Sequence, residues 1–153
     1  MRLRVFIIEP YEALRDSLAE FVTMLGHEAV AVVEPHTCPH YAADGQRCFR
    51  QKPCADAVIL GQMLPGLRGL ELVERRIQGG CKGSVANVAM ICAPWSERDS
   101  QRAKELGFRV FETPLRLEKL AIWLHEVAAT TPLDRKLPPL PATETPFSAG
   151  RDC

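Results

Sequence analysis

Residues 58–73 read VILGQMLPGLRGLELV and change from a strand pattern to a helix pattern across a single turn. The apolar run Ala57–Leu60 is short and contains β-branched side chains, which predicts a buried strand. A turn is predicted at residues 64–66, where proline and glycine adjoin. Apolar residues then recur at helical spacing until a glycine pair ends the pattern: Leu70, Val73, Ile77 and Gly79-Gly80.

The same alternation of strand and helix continues on both sides of this unit. Further strands are predicted at Leu3–Ile8, Ala29–Val33, Val85–Cys92 and Arg109–Phe111. Further helices are predicted at Leu14–Leu25 before Gly26, from a Ser96 cap to Leu106 before Gly107, and at Leu117–Val127. Strands that alternate with helices predict an α/β domain, with a parallel sheet covered on both faces.

Length and composition fit one globular domain. The chain has 153 residues, of which 46% are hydrophobic, and its 19 basic and 19 acidic side chains cancel. A neutral chain has no general field to attract nucleic acid or anionic lipid, so neither nucleic acid nor a membrane is an expected partner. No apolar run approaches the about 20 residues that span a bilayer, and no signal peptide is apparent. These features predict a cytoplasmic protein.

Two segments depart from the strand and helix pattern. Residues 34–54 form a cysteine-rich insertion with no clear period inside a predicted domain of residues 1–129. Residues 130–153 are rich in proline and poor in large apolar side chains, which predicts a disordered tail.

Several motifs in the right order resemble the receiver domains of bacterial response regulators over about Leu3–Ala128. The motifs are Met63–Gly66 with Gly69–Leu72, then Leu106-Gly107, Phe111 and Thr113–Leu115. The resemblance implies a flavodoxin-like, doubly wound sheet of five parallel strands in the order 2-1-3-4-5, with ligands at the carboxyl ends of the strands. It also implies a cis peptide bond at Thr113-Pro114.

The phosphorylation chemistry of that family needs five groups at fixed places. They are an acidic pair after the first strand, an aspartate that accepts the phosphoryl group, a hydroxyl side chain and a lysine, with an aromatic residue in the fifth strand. The resemblance places these functions at the following positions of this chain: Glu9 and Pro10, Gly61, Cys92, Thr113, and Val110 for the aromatic residue. One carboxylate, the nucleophile and the lysine are therefore missing. Magnesium, which prefers several hard oxygen ligands, is not an expected cofactor.

The resemblance therefore implies a stand-alone pseudo-receiver in two-component-type signalling, not an enzyme. Its expected partner is a signalling protein, either a histidine kinase or another pathway component, and no pattern indicates an oligomeric state. In relatives the partner face is formed by the elements that correspond here to Glu97–Leu106, Arg109–Phe111 and Leu117–Val127. Two alternatives stay open: a phosphorelay receiver with residual activity, and a thiol redox or metal sensor.

The cysteines of the insertion predict a metal site at the opposite edge of the sheet. In a parallel sheet all strands start at one edge, so Cys54 before the third strand and Cys81 before the fourth lie close together. Cys48 is near Cys54 in sequence, and the loop after Cys38 is long enough to return. Four thiolates in tetrahedral arrangement are typical of structural zinc. Zinc is therefore the predicted cofactor.

Other interpretations of these cysteines remain. Three cysteines with His40 or His36 would form a related zinc site, and an iron–sulfur cluster would use the same thiolates. The thiols are otherwise free and half-buried, or form a redox disulfide between Cys48 and Cys54 or between Cys54 and Cys81. Cys92 lies in a strand pattern and is expected in the core, and Cys153 is expected to have no role.

Overall fold

The computed structural model of the protein describes residues 1–35, 38–43 and 45–140. Its main sheet has five parallel strands: β1 (Arg4–Ile8), β2 (Glu28–Val32), β3 (Ala57–Gly61), β6 (Val88–Cys92) and β7 (Arg109–Glu112). They lie side by side in the order β2-β1-β3-β6-β7. When only these five strands are numbered, in chain order, their spatial order is 2-1-3-4-5. The predicted fold class is therefore confirmed.

Helices cover both faces of this sheet. They are α1 (Glu12–Met24), the one-turn α2 (Pro39–Ala42), α3 (Gly69–Gln78), α4 (Glu97–Leu106) and α5 (Leu117–Thr130). Apolar side chains of α1 and α5 form one buried layer with the sheet. Those of α3 and α4 form the other layer. Every residue of β3 and β6 is buried, as expected for central strands packed on both sides.

The capping signals of α4 act as the sequence predicts. The Ser96 hydroxyl accepts a hydrogen bond from the Asp99 N–H at 3.1 Å, which satisfies one free donor of the first turn. Gly107 ends the helix in the left-handed conformation, with φ of 92°. Ser96 is therefore a helix cap.

Two local predictions need correction. Val85–Cys92 is not one strand: Val85–Asn87 forms a 3₁₀ turn whose Ala86 N–H is bound by the Ser84 hydroxyl at 3.3 Å, and β6 starts at Val88. The turn around Pro65 is a small hairpin formed by β4 (Met63–Leu64) and β5 (Leu67–Arg68). Both errors arise because apolar residues beside a strand or a turn do not reveal how the backbone bends.

The chain after α5 contacts the amino edge of the sheet, that is, the edge at which the parallel strands begin. The Arg135 guanidinium makes two hydrogen bonds to the Asp56 carboxylate, at 2.8 and 2.6 Å. The Pro138 carbonyl accepts a hydrogen bond from the Arg4 guanidinium at 2.7 Å. Residues 131–140 therefore lie against the domain. Residues 141–153, with Cys153, lie outside the described residues.

In the described part of the chain, no helix is both long enough and apolar enough to cross a bilayer. The Thr113-Pro114 peptide bond is cis, as the resemblance implies.

Candidate functional site

The predicted site residues meet at the carboxyl edge of the sheet. Glu9 directly follows β1, Gly61 ends β3, Cys92 ends β6 and Thr113 directly follows β7. The parallel register pairs Gly61 with Ile91, one residue before Cys92, so these strand ends lie side by side. The structure thus brings Glu9, Gly61, Cys92 and Thr113 to one edge of the sheet.

Glu9 fills the space in which a side chain at position 61 would lie. A Cβ atom added to Gly61 would overlap the Glu9 carboxylate, since Oε2 is its nearest neighbour. Glu9 is only 8% exposed. A carboxylate from β1 therefore lies against the backbone of the acceptor position, and Gly61 is required for that close approach.

Burial shifts the ionisation of this carboxylate. Removal from water raises the pKa of Glu9 above its usual value of 4.5, while the Tyr11 N–H and the charge of Arg15 act in the opposite direction. The Tyr11 N–H donates to Glu9 Oε1 at 3.0 Å. Arg15 donates to the backbone carbonyls of Glu9 and Pro10, at 3.0 and 3.1 Å. The chain's own groups thus hold Glu9 in place.

Gln62 also belongs to this site, although the sequence did not identify it as a site residue. Its side-chain Oε1 accepts a hydrogen bond from the Ala93 N–H, just after β6, at 3.2 Å. This contact connects the ends of β3 and β6 and occupies a backbone donor at the mouth of the cleft. No sequence signal indicates it, because the two residues are 31 positions apart.

Cys92 and Thr113 do not replace the hydroxyl and the lysine of the family. Cys92 is 2% exposed and packs in the apolar layer beside α3 and α4. Burial, together with the nearby Glu112, raises the pKa of Cys92 to about 11, so the thiol is protonated at neutral pH. Thr113 is exposed, and its N–H donates to the Cys92 carbonyl at 2.9 Å. Cys92 is thus a core residue.

Solved structures similar to this chain include receiver domains and response regulators. A Francisella response-regulator receiver domain matches with a TM-score of 0.67 at 12% identity, over 84% of this chain and 98% of that chain. The Vibrio cholerae chemotaxis protein CheY4 matches with a TM-score of 0.62 at 20% identity, over 83% and 99%. The chain has the receiver fold. No family model matches the sequence, and no curated protein matches it.

A third similar structure shows what the receiver cleft of another protein holds. The receiver domain of a Pseudomonas aeruginosa sensor histidine kinase, with a TM-score of 0.60 at 17% identity over 84% of this chain and 99% of that chain, has a magnesium ion coordinated in its active-site cleft. The corresponding cleft of the present chain does not fit magnesium. Glu9 is the single carboxylate of the acidic pair, Pro10 supplies no side-chain ligand, and Gly61 offers only its backbone.

Relative to the wild type, the Glu9→Gln variant is expected to become more stable as the pH rises. Because the folded state raises the pKa of Glu9, it binds that proton more tightly than the unfolded chain does. The resulting stabilisation is present below the ordinary value of 4.5 and is lost as the pH rises through the folded-state pKa. Glutamine cannot ionise and keeps the acceptor for the Tyr11 N–H.

The measurement is urea unfolding of both proteins from acidic to neutral pH, with Glu12→Gln, an exposed glutamate of α1, as the control for loss of one charge. Glu9→Gln should gain stability over the wild type as the pH rises. Equal pH profiles would mean that Glu9 is not held in a desolvated position.

The cysteines of the insertion lie at the opposite edge of the receiver sheet. One cavity is lined by the four cysteines and the histidine that the sequence singled out: Cys38, Cys48, Cys54, Cys81 and His40. His36 lies outside the described residues. The structure thus brings these five residues together, while zinc binding itself stays a prediction.

Backbone contacts with the end of α3 hold the insertion in this place. The Cys48 N–H donates to the Gly79 carbonyl at 2.9 Å, which joins the insertion to the end of α3. Cys81, which lies outside the insertion, donates its own N–H to the Arg76 carbonyl at 2.9 Å. A Cβ atom at Gly79 would overlap the His40 ring and the Gln46 carbonyl. Glycine at position 79 therefore permits the insertion to pack directly on α3.

Proposed function

We propose that this chain is a receiver-type signalling module that binds protein partners without accepting a phosphoryl group and without catalysing a reaction. One observation carries the proposal: the Glu9 carboxylate occupies the side-chain space of the acceptor position, Gly61. Phosphoryl transfer to a receiver builds negative charge that fixed cations must stabilise. Here neither a nucleophile at position 61 nor a lysine at position 113 is present.

The receiver fold supports a role in two-component signalling, because the similar structures include response regulators and the receiver domain of a histidine kinase. We propose that the partner is such a signalling protein. In this view the cleft is held in one state by Glu9 and Gln62, and partner binding does not wait for phosphorylation. Signalling would then depend on the amount of this protein in the cell and on the affinity with which the partner binds it, and not on phosphorylation.

The surface formed by β7 and α5 has the features of a docking face. A groove of about 490 Å³ runs along it and is lined by three basic side chains, Arg109, Arg116 and Lys119, and by one acidic side chain, Glu112. Ile122 lines the same groove and is 59% exposed. An exposed apolar side chain among basic residues favours a partner that presents an apolar contact with acidic residues around it.

The test is binding of histidine-kinase dimerisation and phosphotransfer domains from the source organism to the isotope-labelled protein, without magnesium or phosphodonor. We expect chemical-shift changes on β7 and α5, and at least about 10-fold weaker binding for Ile122→Asp, as for loss of an interface anchor. Leu133→Asp, at an 84% exposed leucine outside the groove, is the matched control and should bind normally. Binding that appears only with a phosphodonor would contradict the proposal.

A further inference from the structure

The cavity at the amino edge of the sheet has donor atoms for a soft metal ion. It encloses about 60 Å³, enough space for a water molecule or an ion. All four of its cysteines lie outside the helices and strands: Cys38, Cys48, Cys54 and Cys81. All four line the same cavity, together with His40 and Arg76. The four thiols thus form one group around the cavity.

His40 lines the same cavity with a buried nitrogen that lacks a partner. The residue is 1% exposed. Its Nδ1 is 3.1 Å from the Gln46 carbonyl, which can only accept, so Nδ1 carries the proton and Nε2 keeps its lone pair. Nε2 has no hydrogen-bond partner among the described residues. Buried polar atoms are nearly always satisfied, so this nitrogen indicates that the cavity holds a group the protein itself does not supply, such as an ordered water beside a bound ion.

Two arginines place positive charge beside the thiols. The Arg76 Nε–H donates to Cys81 Sγ at 3.4 Å. Arg50 also lines the cavity. Four thiolates around a divalent cation leave two negative charges in excess, and two guanidinium groups balance them.

We propose that this cavity binds one zinc ion through the thiolates of Cys38, Cys48, Cys54 and Cys81. Thiolate and imidazole ligands favour zinc over the hard cations, and four sulfur ligands suit its tetrahedral preference. In the structure without a bound ion, the possible ligands are not yet close enough to hold one. This applies to every group of three or more His, Cys, Asp or Glu side chains within residues 1–35, 38–43 and 45–140. Binding therefore draws the thiols inward, which their loop positions permit.

The expected role of the ion is structural. The insertion has a single helical turn, α2, and its buried side chains are few. A metal that ties Cys38 and Cys48 to Cys54 and Cys81 would fix this segment against β3 and the end of α3. The site lies at the opposite edge from the receiver cleft, so it is independent of the proposed signalling function.

The first test uses the full-length chain purified under reducing conditions. We expect about one zinc per chain by metal analysis, and a strong chelator should raise the number of reactive thiols by four. Replacement of the zinc by cobalt should give the intense visible bands and the near-ultraviolet charge transfer of tetrahedral thiolate coordination. A protein that neither holds nor takes up zinc, with these four thiols reactive from the start, would overturn the proposal. Native disulfides between them would also overturn it.

Variants identify the ligands. Cys54→Ser should lose stoichiometric zinc, whereas Cys92→Ala, at a buried cysteine of the opposite edge, should retain it. His40→Asn should also retain one zinc with the same cobalt spectrum. Loss of zinc in His40→Asn, with retention in one of the four cysteine variants, would overturn the all-thiolate assignment. Should Cys54→Ser fail to fold, the cobalt spectrum and the chelator-dependent thiol count of the wild type decide.

Discussion

Asp56→Ala is expected to lower the free energy of unfolding by about 2–3 kcal/mol, because it removes two charge-assisted hydrogen bonds to Arg135 and leaves the Arg4 N–H without its acceptor. The Asp56 side chain is 2% exposed. Its carboxylate accepts two hydrogen bonds from Arg135, at 2.8 and 2.6 Å, and one from the Arg4 N–H at 2.8 Å. The bidentate geometry is the strongest form of such a pair. Chemical denaturation at neutral pH measures the effect.

A second arginine provides the matched control for this pair. Arg135→Ala should also destabilise the protein, and the double variant with Asp56→Ala should cost less than the sum of the two single changes. Arg109 pairs with Glu126 at 3.3 Å, but both side chains are at least half exposed. Arg109→Ala should therefore change stability by less than about 1 kcal/mol. Equal effects of Arg135→Ala and Arg109→Ala would mean that residues 131–140 do not hold the domain.

Gly61→Asp is expected to cost about 3 kcal/mol of stability and to leave the protein unable to accept a phosphoryl group. The new side chain would meet the Glu9 carboxylate, which is already buried, so a second negative charge would be placed against the first. Restoring the nucleophile alone supplies neither the second acidic ligand at position 10 nor the lysine at position 113. Unfolding by denaturant and intact-mass analysis measure the two effects.

The double variant Glu9→Ala/Gly61→Asp separates crowding from other causes. It should recover most of the stability lost in Gly61→Asp, with a coupling energy of about 1–3 kcal/mol between the two positions. Additive costs would show that Glu9 does not occupy the acceptor space. Phosphorylation of the single variant would show that the missing cation ligands are dispensable.

The alternation of strands and helices was sufficient to predict a parallel sheet covered on both faces, because it depends on local periodicity. The strand order was implied by the resemblance to receiver domains and not by the alternation itself. The absence of an acceptor at Gly61 and of a lysine at Thr113 could likewise be read from motif positions. The convergence of Cys54 and Cys81 follows from parallel topology alone, since both precede neighbouring strands. These predictions needed no knowledge of side-chain packing.

Contacts between distant segments could not be predicted in this way. The Glu9 carboxylate reaches Gly61 only because β1 and β3 are neighbours at the right register. Arg135 and Asp56 are 79 positions apart, and the composition of the tail gives no hint of their ion pair. The sequence predicts strand in place of the 3₁₀ turn before β6, because Val85 and Ala86 extend the apolar pattern. Each case depends on tertiary geometry, which a one-dimensional pattern does not encode.

In the proposed function, the cleft at the carboxyl edge of the sheet does not accept a phosphoryl group. The most direct test is intact-mass analysis of the wild-type protein after incubation with acetyl phosphate and magnesium, beside a phosphorylatable receiver domain treated in the same way. We expect the mass of this chain to stay unchanged and the control domain to become phosphorylated. A stoichiometric phosphoryl adduct, mapped by fragmentation to Glu9 or to any other residue of the cleft, would contradict it.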